Sequence, residues 1–247
     1  MNALLRHGIK ILAAFALMLT PAVSQAAKIS PMIIELKPAG QNSIARVELT
    51  NDSSRDIPYE AILMRGIITE DGELEMIPAE DQFLVFPAQA IVEANSQQIF
   101  RVQYVGEPDL GQSEIFYLAI RQVPVEFEGE TSQVQIVVNY NVLINVVPDG
   151  TSPEPAVAEV TPETREEQEG LQLLVRNEGT RYFMAGLSDW LVSGMSSDGK
   201  PFEVEFKSGE LTRHIGVGVV APGRARRFFV PTDIKLSPEN IRVEINP

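Results

Sequence analysis

Apolar and polar residues alternate with a period of two along most of the chain, the spacing of half-buried β-strands. Ile44 to Leu49 alternates in this way and stops at Asn51-Asp52. Ile62 to Ile68 runs into Glu70-Asp71-Gly72, a hairpin turn signal. Ile99 to Tyr104 alternates again and ends near Gly106. Ile115 to Val125 and Val134 to Val147 are two long β-rich runs. Glu126 to Ser132 joins them as a short acidic connection with one glycine, which predicts a hairpin. No stretch keeps a 3.6-residue apolar period, so helices are expected to be few.

Residues 148 to 155 read PDGTSPEP, three prolines and a glycine in eight residues, which predicts a linker. Strand patterns resume at Leu171 to Val175, Tyr182 to Val192, Phe202 to Phe206, Gly216 to Val220, Arg227 to Val230 and Ile241 to Ile245. Ser196-Ser197-Asp198-Gly199 reads as a hairpin turn. The two halves share landmarks. VELTN ends at Asn51 and a second turn falls at Asn95, 44 residues on. LLVRN ends at Asn177 and the matching turn falls at Gly223, 46 residues on. Two copies of one sandwich plan explain this, each of immunoglobulin-domain size. The fold class expected is all-β: two immunoglobulin-like β-sandwich domains joined by a short Pro-rich linker. The domains are placed at 27–148 and 156–247, with the linker at 149–155.

Composition sharpens the picture in three ways. Residues 1–26 carry Arg6, His7 and Lys10, then an apolar run from Ile11 to Leu19, then small residues ending at Ser24 and Ala26. That is the pattern of a cleavable secretory signal peptide, too short in its apolar run to span a membrane. Its removal leaves 18 basic against 34 acidic residues, a net charge of −16. An acidic balance argues against nucleic-acid binding, which depends on clustered basic residues. The chain also contains no cysteine, so neither disulfides nor thiol chemistry contribute. His214 is the only histidine after the leader, and nothing spaced around it suits a catalytic dyad or metal site. No cofactor, metal or catalytic residue is expected. Arg224 to Arg227 reads as a solvated strand edge, Glu163 to Glu169 as a solvated loop and Trp190 as core of the second domain. Gly216-Val217-Gly218 lacks the helix and third glycine of a dinucleotide fingerprint.

The segment from Phe86 to Val125, FPAQAIVEANSQQIFRVQYVGEPDLGQSEIFYLAIRQVPV, resembles the signature region of PapD-like periplasmic pilus and fimbrial assembly chaperones. Pro87, Arg101, Tyr104, Gly106, Glu114, Phe116, Leu118, Arg121 and Pro124 carry the match. Asn51 after VELT and the Ala-Pro-Gly turn at 221–223 fit it too. The resemblance implies a non-enzymatic periplasmic chaperone. Its partners would be pilus or fimbrial subunits and an outer-membrane usher, with no membrane insertion. Such subunits lack their last strand, and the chaperone fills the open groove with an edge strand of its own.

Val134, Ile136, Val138, Tyr140, Val142, Ile144 and Val146 form one apolar row on a strand, opposite a mostly polar row. Aligned to the family at Pro148, the resemblance makes Val134, Ile136, Val138 and Tyr140 the subunit-binding donor residues; Val142 to Val146 are expected in the core. The resemblance also implies a basic residue in the first strand and another in the last, which hold the subunit's terminal carboxylate. Here the first strand reads Met32-Ile33-Ile34-Glu35, and Leu143 occupies the second position. Asn139, Asn141 or Arg181 are the remaining candidate donors. Two other classes compete: a secreted β-sandwich surface protein, pilus subunit or adhesin, and a carbohydrate-active β-sandwich enzyme. The first would show one incomplete domain and the second converging carboxylates. The sequence shows neither.

Overall fold

A computed structural model describes residues 27–124 and 137–247. The leader at 1–26 and the connection at 126–132 therefore lie outside the described residues, as do Val134 and Ile136. The chain forms two immunoglobulin-like β-sandwiches, and its only α-helix among the described residues is the short turn Thr212–Ile215. No helix among them is long and apolar enough to cross a membrane.

The first sandwich packs two sheets face to face. One sheet runs in the order β1 (Lys28–Ser30), β3 (Ile44–Asn51), β8 (Ser96–Tyr104), β6 (Phe83–Phe86). The other runs β2 (Ile33–Leu36), β10 (Asn139–Val146), β9 (Glu114–Gln122), β4 (Ile57–Ile68), β5 (Leu74–Pro78), with β7 (Gln89–Val92) also on β4. Alternation explains the layers. Val47, Leu49, Phe100 and Val102 turn inward from the first sheet and Phe116, Leu118, Ile120, Val142, Ile144 and Val146 from the second, all essentially buried. The predicted strands at Ile44, Ile62, Ile99 and Ile115 all form, as does the turn at Glu70 to Gly72.

The second sandwich sets β11 (Pro155–Arg165), β12 (Gln168–Asn177) and β17 (Ala225–Pro231) against β15 (Pro201–Phe206), β14 (Asp189–Met195) and β18 (Arg242–Asn246). A two-stranded ribbon joins β13 (Phe183–Met184) to β16 (Val219–Val220). Trp190 fills this core, edge-on to Phe228 at 6.2 Å, and donates its indole N–H to the Ala185 carbonyl. The single strand expected over Tyr182 to Val192 is in fact broken by a 3-10 turn at Ala185–Leu187. The turn requires glycine at position 186: a Cβ there would lie 2.0 Å from the Gly216 carbonyl oxygen. Gly216 and Gly218, both at positive φ, leave only Val219–Val220 of the strand expected over Gly216 to Val220. Glu163 to Glu169, expected as a loop, is instead the tip of the β11–β12 hairpin, with Glu166 and Glu167 at positive φ.

The duplicated landmarks are structural twins. Asn51 is fully buried and donates to the carbonyls of Arg55 (2.8 Å) and Val92 (2.9 Å), while its side-chain oxygen accepts the N–H of Ser53. Asn177 donates to the carbonyls of Arg181 (2.8 Å) and Val220 (3.1 Å) and accepts the N–H of Gly179. The offsets to the nearby partners are the same, four and two residues on. In each sandwich one asparagine knots the strand end to a turn and to a distant loop.

Candidate functional site

Strand β10 is held differently along its length. From Asn139 to Val146 it pairs antiparallel with β9. On its other side it pairs with β2 only from Leu143 to Val146, in parallel. The first bond on that side joins the Leu143 N–H to the Met32 carbonyl at 3.0 Å. Among the described residues, the strand from Asn139 to Val142 therefore has one neighbour and one open edge. A strand edge with unpaired N–H and C=O groups is a template for another chain.

The predicted donor residues divide along this edge. Val138, just before the strand, is 37% exposed and its neighbour Val137 is 40% exposed. Tyr140 is half-buried against the rim of the first core, and its hydroxyl donates to the Ala27 carbonyl. Val142, Ile144 and Val146 are fully buried in their own core, as expected for that end of the row.

The cleft-facing side of β10 carries Leu143, Asn145 and Val147. Leu143 and Val147 join Ile115 from the first sandwich and Tyr182 and Val219 from the second in one buried cluster between the domains. Two groups of polar contacts flank it. Near β2, Arg181 meets the Glu35 carboxylate at 2.7 Å, and the Tyr182 hydroxyl donates to the same carboxylate at 3.2 Å. Burial and then the Glu35 charge push the Tyr182 hydroxyl up to about 12. The Ser113 N–H bonds to the Thr180 carbonyl, and the Tyr182 N–H to the Ser113 hydroxyl.

Near the β4–β5 turn, the Arg227 N–H bonds to the Glu70 carbonyl at 2.6 Å. The Arg227 guanidinium lies 3.5–3.6 Å from the Glu70, Asp71 and Glu159 carboxylates. Arg226 is half-buried, donates to the Val219 carbonyl and leaves its Nε without a partner; desolvation lowers its pKa. The stretch expected as a solvated edge is thus part of the domain contact. It reads as solvent-facing in sequence because its carboxylate partners come from distant strands.

No cation stands where the family resemblance implies two. The first strand, Met32-Ile33-Ile34-Glu35, has no basic residue, and its Glu35 is already held by Arg181. Asn139 and Asn141 are exposed on β10. Sequence reasoning missed Asn145. It is 0% exposed, and among the described residues neither its amide nitrogen nor its oxygen has a partner. Only the cleft cluster on either side of it could have flagged this, and that cluster is invisible in one strand's alternation. Among the described residues no group of His, Asp or Glu is placed to hold a metal ion.

Comparison with known proteins fits this architecture. The family described as "Pili and flagellar-assembly chaperone, PapD N-terminal domain" matches residues 29–152. No curated protein matches by sequence. Among solved structures, the class 5 fimbriae chaperone CfaA aligns over 90% of this chain and 99% of its own, with 13% identity and a TM-score of 0.53. A chain from a CFA/I chaperone–tip adhesin complex aligns over 90% and 98%, with 14% identity and a TM-score of 0.53. A chain from the Salmonella enterica SafA pilin–SafB chaperone complex aligns over 89% and 96%, with 18% identity and a TM-score of 0.50. At such identities the structural likeness establishes the fold alone. The match of the family itself over half of the sequence goes further: the chain belongs to the PapD-type pili and flagellar-assembly chaperones.

Proposed function

We propose that this protein is a periplasmic, non-enzymatic chaperone that lends the open edge of β10 to a pilus or fimbrial subunit lacking one strand, before the subunit passes to an outer-membrane usher. The one-sided pairing of Asn139 to Val142, continued by exposed Val138, is the observation that carries this reading. Main-chain hydrogen bonds would come from the free edge, and specificity from alternate side chains. Val134, Ile136 and Val138 would enter the subunit groove. Tyr140 would leave or keep its bond to Ala27 depending on how far the groove extends. Each Val or Ile fully buried contributes roughly 1.5–3 kcal/mol. Three of them offset much of the ordering cost of association, on the order of 4–15 kcal/mol, and the new strand hydrogen bonds supply the remainder. The domains are taken as 27–148 and 156–247, joined by 149–155, with 1–26 removed on export.

The test is co-expression with a candidate subunit. The wild-type chain should form a one-to-one complex. Val138→Asp or Ile136→Asp should abolish it, because a carboxylate would enter an apolar groove, while the melting temperature of the free chaperone stays unchanged. Undiminished complex formation by both variants would sink strand donation at this edge.

A further inference from the structure

Between the two sandwiches lies a cavity of about 450 Å³. Ile67 and Ile68 at the end of β4, with Glu70 beyond them, line one side, and Arg176, Glu178 and Arg224 of the second sandwich line the other. Small-molecule sites favour such junctions between domains and occupy about 300–1,000 Å³. No residue of β10 lines this cavity. Asn177 holds the basic wall in place. Arg176 and Glu178 flank it in sequence, its carbonyl accepts the Gly223 N–H at 2.9 Å, and its own N–H donates to the Arg224 carbonyl at 2.9 Å.

The twin turn of the first sandwich shows that the arginines do not serve the turn. There Ser96 stands opposite Asn51 as Arg224 stands opposite Asn177. Thr50 takes the place of Arg176, and Asp52, in the place of Glu178, is paired with Lys28 at 2.6 Å. The turn therefore forms without arginine, and the copy that faces the cavity is the one that carries two. Both guanidinia are unspent: among the described residues neither Arg176 nor Arg224 has a side-chain hydrogen bond, ion pair or ring contact, and neither does the Glu178 carboxylate. Arg176 stands in register between Ala156 and Ala225, so no long side chain crowds it along the sheet. Glu70 is already turned to Arg227 at 3.5 Å. Two free cations thus meet one free carboxylate, an excess of one positive charge in a chain of net charge −14. Half-buried Ile67 and Ile68 supply an apolar side.

We propose that this cavity binds a small organic monocarboxylate with an apolar body, its carboxylate held by Arg176 and Arg224 and its body laid against Ile67 and Ile68. The planar fork of arginine matches a carboxylate. The single excess charge favours a monoanion over a phosphate dianion, and the apolar side favours a hydrocarbon body over bare acetate. Glu178 is left as an acceptor for an N–H on the same molecule. The inference does not depend on strand donation.

Isothermal titration calorimetry of the full chain with N-acetyl-leucine tests it. The expected result is saturable one-to-one binding. Arg176→Ala and Arg224→Ala should each weaken it about tenfold, the loss of one charge-assisted contact, and together should abolish it. Their melting temperatures should match the wild type, since neither guanidinium has a partner to lose. N-acetyl-leucinamide, the same molecule without its charge, should not bind, and acetate and inorganic phosphate should bind more weakly than N-acetyl-leucine. Thr50→Arg/Ser96→Arg places the same two cations on the twin turn, away from the cavity, and should add no second site. Val138→Asp should bind N-acetyl-leucine as the wild type does, which separates failure of this site from failure of strand donation. Five results would overturn the proposal: no binding of N-acetyl-leucine at millimolar concentration, equal binding of its amide, an affinity indifferent to both arginines, a preference for phosphate, or a new site on the twin turn.

Discussion

Asn145 makes a sharp energetic test of the domain interface. Its side chain is fully buried with neither polar atom partnered, between Leu143 and Val147 on the cleft face of β10. An unsatisfied buried polar group costs about 1–3 kcal/mol, and replacing it by an apolar group of the same shape can be stabilising. Asn145→Leu nearly conserves volume and continues the apolar cluster. It should therefore stabilise the protein by about 1–3 kcal/mol, which for a chain of this size is about 2–4 °C in melting temperature per kcal/mol. Asn145→Asp should do the reverse and lose more than ~3 kcal/mol, because it buries an unpaired charge in register with Glu35. Urea unfolding followed by tyrosine and tryptophan fluorescence measures both, with the slope reporting whether the domains still unfold together. A loss of more than ~1 kcal/mol in Asn145→Leu would refute the reasoning, since it would mean that the amide is satisfied and structural.

The twin asparagines should behave oppositely: Asn51→Ala and Asn177→Ala each remove a buried hub of several hydrogen bonds and should destabilise by about 2–4 kcal/mol in chemical denaturation. Gly186→Ala should lower the melting temperature sharply, because its Cβ would meet the Gly216 carbonyl at 2.0 Å; an unchanged melting point would show that the 3-10 turn shifts freely. Alkaline titration should weaken the fold. Tyr59 and Tyr182 are both pushed from 10.0 up to about 12, first by burial and then by Tyr140 and Glu35 respectively. Their neutral forms are favoured in the folded state, so this stability is complete below pH 10 and is lost as the pH climbs towards 12. Tyr59→Phe should flatten the decline of stability measured between those values.

Much of the fold is legible because alternation and turn chemistry are local. Ile44 to Asn51 buries Val47, Leu49 and Asn51 on one face, as its pattern requires. The spacing from Asn51 to Asn95 and from Asn177 to Gly223 marks two copies because each asparagine binds a carbonyl just before or within that second turn region. What sequence alone misses is set by partners far along the chain. β11 is hidden because it is half exposed and carries a register shift between Val157 and Glu159, which destroys the alternation. Arg227 looks solvated until the Glu70–Asp71 turn of the other domain closes on it. Asn145 belongs to a polar row and so reads as outward-facing, yet the second domain covers that row at Leu143 to Val147.

These local and distant effects meet on β10 and explain how an open edge can persist in a folded protein. Downstream, Leu143 to Val146 is clamped on both sides, by β9 and β2, with Val142, Ile144 and Val146 packed in the core. That anchor fixes the register, because a slip of one residue would turn the core row outward. Upstream, Asn139 to Val142 has no second neighbour among the described residues, roughly 13 Å of edge at about 3.3 Å per residue. Its two faces differ. Tyr140 and Val142 continue the apolar row, whereas Asn139 and Asn141 stay exposed on the other. A short edge whose apolar face is turned to its own core and whose other face is polar disfavours indiscriminate stacking. It still suits a partner whose missing strand leaves an apolar groove open on one side. The same logic separates β10 from β6, an edge strand of the other sheet: β6 puts Leu84 and Phe86 on the solvent face of its sheet, so contacts there are made by the face as much as by the edge.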